Sequence, residues 1–414
     1  VRRFAVVEEE FTLRSSTRLL ALGATAAFIL TACTGGGAAT SAPSVAPPSE
    51  SAAPSESAEA SPSASAGGSI DWVACVAFDT GGLGDKNFND LAKKGLDDAQ
   101  AAGYTTKFSE AQGSTDYAAN IQRLMDQGCQ SIVTVGFLQS QATADAAVAN
   151  PEIAFAQVDT AWNEAGPDFI MGTADDTPRP PNFTGLDYQI DQASMLAGYL
   201  AAGFSKTGKI GTYGGLAFPG VTRFMDGLYA GVTYYNQQKG TNVEVIGWNG
   251  SLEDPTETGT FVGGSGGNDT WNDPAKGEQF AKTFLDQNVD IVHPVAGATG
   301  NGTIKAMHAA GKWAIGVDAD QWISLGDTEY HKAIITSAQK AIDVSVLDVF
   351  KKHSGGDLGG EDYSGTIANN GVLLAPFHDY DSEISAELKA EIDALKTALG
   401  DGSVTVCSFL GRGC

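Results

Sequence analysis

Short runs rich in β-branched residues alternate with amphipathic stretches over most of this chain, and few folds accommodate that rhythm. The strand-like runs are Trp72 to Phe78, Ser131 to Val135, Ile153 to Val158, Lys209 to Tyr213, Val243 to Gly247, Asp290 to Pro294 and Trp313 to Val317. Between them lie helical patterns such as Phe88 to Ala101, Tyr117 to Gln127, Gln139 to Ala149, Gln192 to Ala202, Val221 to Tyr235, Ala275 to Gln287 and Gly302 to Ala310. A strand followed by a helical crossover builds parallel sheets, which makes this an α/β chain. The roughly 345 residues from Ser69 onward exceed what one core usually serves, so two lobes are expected.

The first 68 residues read differently. Arg2, Arg3, Arg14 and Arg18 precede an apolar stretch from Leu19 to Leu30, too short to span a bilayer well, which runs into Leu30-Thr31-Ala32-Cys33. This resembles the lipobox of bacterial lipoproteins and implies a signal peptide over 1–33, acylation of Cys33 and a lipid anchor on the extracellular face of the cell membrane. An uncleaved anchor helix is the alternative and gives the same topology. Residues 34–68 are almost all Ser, Ala, Pro, Gly and Thr, a composition that cannot offset its ordering entropy and reads as a flexible tether. Nothing downstream offers 18 consecutive apolar residues. The net charge of −25 argues against nucleic acid or anionic lipid as a partner.

With Cys33 set aside for lipid, Cys75, Cys129, Cys407 and Cys414 remain. An even number outside the cytoplasm favours disulfides. Cys75 lies in the first strand-like run and Cys129 just before a later one, so neighbouring strands bring them together; Cys407 with Cys414 closes a small C-terminal loop. Buried free thiols are the alternative. Neither pair has the spacing of a redox motif.

The residues just past the strand-like runs carry the most information about function. Asp79, Gly136-Phe137, Asp159, Gly214-Gly215 and Asp318 with Asp320 each stand at such a position. In parallel α/β sheets the carboxyl ends of strands face the ligand crevice. Placed there, Asp79, Asp159 and Asp318 converge on one cleft between lobes. Carboxylates accept hydrogen bonds and donate none, so such a cleft suits a donor-rich ligand: a polyol, a sugar, an amine or a metal ion.

The segment Asp79-Thr80-Gly81-Gly82-Leu83-Gly84-Asp85-Lys86-Asn87-Phe88-Asn89 closely resembles the D-x-GG-x-x-D-K-S-F-N segment of the basic membrane protein family, the purine-nucleoside-receptor lipoproteins. Further signatures recur in order: Phe155 to Asp159, Gly214-Gly215 then Phe224 and Gly227, Gly316-Val317-Asp318, and Thr336-Ser337 followed by Lys340. The resemblance implies a type I periplasmic-binding-protein-like fold, two Rossmann-like lobes joined by a hinge, closing on a nucleoside for an ABC-transporter permease. It implies that Phe88 stacks on the base with an aromatic from the other lobe, Phe224 or its rival Phe218. Asp79 and Asn87 would add polar contacts, Asp318 and Lys340 would hold the ribose hydroxyls, and Asp159 would reach the base or sugar. No catalytic group, cofactor or metal is implied. Asn87 stands where the family usually has Ser, and the Asn-, Asp- and Gly-rich stretch from Gly250 to Asp273 reads as a long surface insertion; both bear on the choice of base.

The lobes are expected to comprise 69–185 with about 319–375, and 186–318 with about 376–414. Two enzyme motifs match by letter only. Gly263-Gly264-Ser265-Gly266-Gly267 fits a nucleophile elbow but has no apolar strand leading into it. Gly203 to Lys209 has phosphate-loop spacing but comes after a helix and continues with Ile210 instead of Ser or Thr. His293, His308, His331, His353 and His378 show no paired-ligand spacing. Besides transport, a sensory or regulatory lipoprotein for another polyol or amine stays open, and a nucleoside hydrolase fits less well because Asp79 and Asp85 lack the D-x-D-x-x-x-D-D spacing.

Overall fold

The computed structural model describes residues 69–162, 178–250, 258–326 and 328–411. The chain divides into two units, Val1–Ser63 and Ala64–Cys414, and every described residue belongs to the second. Cys33, the tether at 34–68 and Cys414 lie outside the described residues.

The first sheet is built around Val73–Phe78 (β1), buried along all but its first residue, as a central parallel strand requires. Thr105–Glu110 (β2) flanks it on one side. On the other lie Ser131–Val135 (β3), Ala154–Val158 (β4), Phe183–Tyr188 (β5) and Tyr363–Gly365 (β11), giving the order β2-β1-β3-β4-β5-β11 with every pair parallel. Helices Phe88–Ala101 (α1), Tyr117–Asp126 (α2) and Ser140–Ala149 (α3) make the crossovers.

The second sheet repeats the plan. Lys209–Gly214 (β6), Glu244–Ile246 (β7), Ile291–Val295 (β8), Trp313–Asp318 (β9), Ile334–Lys340 (β10) and Val372–Leu374 (β12) lie in the order β7-β6-β8-β9-β10-β12, with β10 and β12 the antiparallel pair. Two helices, Ile190–Phe204 (α4) and Pro219–Lys239 (α5), pack closely on this sheet. A Cβ on Gly231 of α5 would come within 2.1 Å of the Met195 carbonyl oxygen on α4, so this close approach needs glycine. In each sheet the strand order reverses beside the first strand of the lobe, between β1 and β3 and between β6 and β8. Crevices at such reversals, outside the carboxyl ends of the strands, are where α/β sheets bind ligands.

Among the described residues, three segments join the lobes: Tyr188 to Ile190, Lys340 to Ile342, and Gly365 to Val372. They are tied to one another, with Gln189 N donating to Gly365 O (2.8 Å) and Ala341 N to Gly371 O (3.0 Å). The boundary differs from the sequence-based one, which returns the chain to the first lobe after Asp318. Here β10 stays beside β9, and the return comes after Lys340, when helix Ile342–Ser354 packs on α1. The sequence of β10, IITSAQK, hides its burial because polar residues occupy interior positions. Their hydroxyls are paired: Thr336 Oγ1 donates to Ala375 O (2.8 Å) and Ser337 Oγ accepts from Gln321 N (3.1 Å).

Cys75 in β1 is disulfide-bonded to Cys129, which stands just ahead of the neighbouring β3, with Cα atoms 6.0 Å apart. Cys407 is also disulfide-bonded. Among the described residues, no helix is long and apolar enough to cross a membrane.

Candidate functional site: an acidic, aromatic-walled cavity between the lobes

A cavity lies where the carboxyl ends of both sheets meet. Asp79 comes directly after β1, Phe137 after β3 and Asp159 after β4, while Asp318 ends β9 and Lys340 ends β10; all five line it.

Asp79 is fixed before any ligand arrives. Its Oδ1 accepts from Gly81 N (2.8 Å) and from Asn89 Nδ2 (2.9 Å). Gly136, at φ 92°, leaves room for Oδ2; a Cβ there would lie 2.6 Å away. Asp85 performs the capping work of the motif, accepting from Asn87 N (3.0 Å), Asn89 N (2.8 Å) and Asn89 Nδ2 (3.1 Å). The Asn89 amide therefore bridges Asp79 and Asp85. Burial pushes Asp79 up to about 6 and Asp85 up to about 7, against the lowering effect of these hydrogen bonds.

Asp159 and Asp318 both adopt left-handed backbone, φ 64° and 62°, a region that non-glycine residues enter at a cost and that clusters at functional sites. Lys340 Nζ lies 2.6 Å from Asp159 Oδ2 and 3.3 Å from Asp318 Oδ1; the second contact is an ion pair without hydrogen-bond alignment. Burial opposes the charge on Lys340, but the two carboxylates outweigh it and its pKa is raised. Asp318 is pushed up to about 6, chiefly by burial, with Lys340 pulling it down and Asp159 pushing it up. Asp159 is raised for the same first reason and also opposed by Lys340. Gly220, in the first turn of α5, lets the Asp159 carboxylate approach that helix N-terminus, where negative charge is favoured; a Cβ would sit 3.1 Å from Oδ2.

The aromatic walls come from both lobes. Phe88 opens α1, and Phe224 projects from α5, which Pro219 starts at its first position. Lys340 Nζ is 5.3 Å from the Phe88 ring centroid and 4.8 Å from that of Phe224. Phe218 is not on the cavity wall: it is 41% exposed and lies on Phe137 at 4.3 Å between centroids. Asn87 is not on the wall either. It is fully buried and caps α1, its amide oxygen accepting from Phe88 N (2.7 Å), whereas Asn89, two positions on, does line the cavity.

Sequence reasoning missed Asn89, Asp85 and Trp271 as lining residues, and placed Phe137 at a crevice-facing strand end without giving it a role. The first two stand inside the quoted motif, so the signal was present. Trp271 comes from the stretch read as a surface insertion, which is corrected for its described part, 258–273: Thr270 is fully buried there and Trp271 walls the site. The letter-matched enzyme motifs have ordinary structural roles. Ser265 is exposed and its hydroxyl donates to Asp269 (2.7 Å), while the carboxylate of Asp290 takes Lys206 N (2.6 Å) and Thr207 N (3.0 Å) where a phosphate loop would hold phosphate.

Among the described residues, the wall thus carries four carboxylates and one cation, Lys340. Among the described residues, no group of three or more His, Cys, Asp or Glu side chains has the geometry to hold a metal ion. The arrangement favours a ligand with a flat apolar face and several hydrogen-bond donors. Among the described residues, three of the cross-lobe hydrogen bonds lie at the mouth: Thr80 Oγ1 to Gly266 O (2.6 Å), Asn301 Nδ2 to Asp85 O (3.0 Å) and Ser324 Oγ to Lys86 O (2.5 Å); near the hinge, Arg223 Nη1 donates to Asp187 Oδ1 (2.7 Å).

Comparison with known proteins agrees with this geometry. The family described as ABC transporter substrate-binding protein PnrA-like (Bmp) matches residues 73–257 and 267–399. The ABC transporter nucleoside-binding protein BmpA of Lactococcus lactis subsp. cremoris is 26% identical over 359 residues, covering 82% of this chain and 90% of that protein. Basic membrane protein A of Borreliella burgdorferi is 27% identical over 333 residues, 79% of this chain and 86% of its own. An ABC transporter solute-binding protein from Aeropyrum pernix superposes with a TM-score of 0.66 at 25% identity, over 81% of this chain and 92% of that one. The chain has the type I periplasmic-binding fold and belongs to the PnrA-like (Bmp) family of ABC transporter substrate-binding proteins, whose partners are a transporter and a small ligand.

Proposed function

We propose that this chain captures a nucleoside in the interlobe cavity and delivers it to an ABC-type importer, as a receptor and not an enzyme. The observation that carries the reading is that Phe88 and Phe224, from opposite lobes, face the same cavity as the Asp159–Lys340–Asp318 cluster. Two rings suit a flat base, and a carboxylate–ammonium cluster suits a ribose diol, which both donates and accepts. Stacking contributes about 1–3 kcal/mol per base contact and a hydrogen bond to a charged group about 1.5–3 kcal/mol, sufficient for micromolar binding after immobilisation costs. The name of the Lactococcus relative supports the same ligand class.

The Arg-rich start, the apolar stretch and Leu30-Thr31-Ala32-Cys33 support a signal peptide and a lipid anchor at Cys33, with 34–68 as the tether that holds the binding unit clear of the extracellular membrane face. The Borreliella relative's name supports a membrane setting.

The test is calorimetric titration of protein refolded to strip carried ligand, with guanosine, adenosine, uridine and free ribose. Saturable one-to-one binding of nucleosides without binding of ribose is expected. Silence toward all three nucleosides in a folded sample removes the nucleoside reading and leaves family membership intact. For the anchor, labelled fatty acid should be incorporated by the wild type and not by Cys33→Ala.

A further inference from the structure

Residues 258–266 fall between the two stretches that match the family, and they are hydrogen-bonded to the end of β6. Gly214 N donates to Thr260 O (3.0 Å), Val262 N to Gly214 O (2.8 Å) and Gly263 N to Gly215 O (3.0 Å), so the segment runs alongside the end of β6 like an added strand. It then turns through Gly263, Gly264 and Gly266, all at positive φ. Thr270 secures the turn, donating to Gly263 O (2.6 Å) and accepting from Gly266 N (3.1 Å), and Thr299 Oγ1 in turn holds Thr270 O (2.8 Å).

These bonds fix the next residue, Trp271. Its benzo edge lies against Gly215, where a Cβ would come 2.1 Å from Cζ3, and its ring stands edge-on to Phe137 of the other lobe at 6.5 Å and 78°. Trp271 lines the cavity. In an indole, Nε1 lies on the edge opposite Cε3 and Cζ3, so with those carbons on Gly215 the N–H is turned away from that contact. Nε1 is buried and has no hydrogen-bond partner. Buried donors are nearly always paired, and this unpaired one belongs to a side chain that lines the binding cavity.

We propose that Trp271 is a specificity-determining binding residue whose indole N–H donates to an acceptor on the bound ligand. The inference rests on the nucleoside reading: the acceptor is a ring nitrogen or carbonyl oxygen of the base. The carboxylates around the cavity take donors only, so Trp271 answers the opposite requirement, and a base lacking the acceptor leaves the N–H buried and unpaired. Discrimination by such a group is far stronger than discrimination by shape.

The experiment tracks the indole N–H resonance of Trp271 in the full-length, detergent-solubilised protein by ¹⁵N-edited NMR, identifying it by its loss in Trp271→Phe. During titration with the tightest-binding of guanosine, adenosine and uridine, the resonance should move downfield and its exchange with solvent should slow. Trp271→Phe, which keeps an aromatic wall and deletes the donor, should weaken that nucleoside three- to tenfold, and Trp271→Ala at least thirtyfold. An indole resonance unmoved at saturation overturns the proposal, and so does a Trp271→Phe affinity equal to wild type. Absence of nucleoside binding by the wild type overturns the nucleoside reading and this inference together, an outcome distinct from binding with a silent indole. Trp271→Tyr, which also removes the indole, supplies the assignment if Trp271→Phe folds poorly.

Discussion

Asp159 and Asp318 occupy equivalent places in the two lobes and share one ammonium. Asp159 comes directly after β4 and Asp318 ends β9, each the third strand from the same end of its sheet, each in left-handed backbone, and Lys340 Nζ reaches both at 2.6 and 3.3 Å. Lys340 ends β10, and the residue ending the equivalent β5 is Tyr188, whose ring centroid is 5.9 Å from Nζ. The two halves of the crevice are alike in topology and unlike in charge: two acidic ends, one basic.

Lys340 therefore holds the site together electrically. Replacing it with Met leaves two buried carboxylates facing each other. Breaking a buried pair in this way costs about 3–5 kcal/mol. Urea unfolding at pH 7.5 should show a loss of that order, and nucleoside binding should fall at least tenfold. Because Asp318 takes up a proton near pH 6, the stability loss should shrink as pH is lowered to 5.

Phe88→Ala and Phe224→Ala should each weaken nucleoside binding at least tenfold, consistent with about 1–3 kcal/mol per stacked base. Phe218→Ala should stay within threefold, because that ring lies on Phe137 and off the cavity wall. Calorimetry on the three variants checks the assignment; equal losses from Phe218 and Phe224 would remove it.

Asp79 yields a pH prediction with a definite sign. Its carboxyl titrates at about 6 when folded, against 3.8 for the free side chain. A raised value means the folded state binds the proton more tightly, so the stability this group contributes is fully present below pH 4 and is lost as pH rises through 6. Asp79→Asn mimics the protonated form and keeps an oxygen for Gly81 N. The variant should be no more stable than wild type at pH 4 and more stable at pH 7.5, by up to about 3 kcal/mol. Nucleoside donors favour the ionised form, so wild-type affinity should rise from pH 5 to 7.5 and binding near pH 6 should release protons, read as a buffer-dependent enthalpy. A flat stability difference between the two proteins across this range would contradict the assignment.

The fold was legible where burial is written in apolar letters. The strands β1, β3, β4, β6, β8 and β9 stand out because parallel strands covered on both faces need continuous apolar runs. Edge strand β2, reading TTKFSE, and β5, reading FTGLDY, do not, and β10 conceals its interior Thr336 and Ser337 through paired hydroxyls. That concealment is what misplaced the lobe boundary. In the site, residues at the carboxyl ends of strands were readable because topology alone sends them to the crevice. The choice between Asn87 and Asn89 was not, since it depends on where α1 begins: one becomes the cap and the other faces the cavity. Trp271 left no local trace at all, because its place is set by contact with Gly215, distant in sequence.

The three hydrogen bonds across the mouth predict how the protein opens. All three acceptors are main-chain carbonyls, of Gly266, Asp85 and Lys86, so none of the bonds needs the ligand. They favour the closed arrangement by themselves, each by about 0.5–1.5 kcal/mol. A ligand whose tight-binding state is populated only in part binds more weakly by that fraction. Asn301→Ala and Ser324→Ala remove two of these bonds, and with them the Gln321 Nε2 to Asn301 Oδ1 bond inside the second lobe (3.1 Å), without replacing a cavity-lining side chain. The double variant should therefore bind nucleoside about 5- to 100-fold more weakly, with the change concentrated in the dissociation rate, since the closed state is what retains the ligand. Stopped-flow displacement measures that rate. An unchanged dissociation rate, with wild-type stability, would show that these two bonds do not hold the closed state.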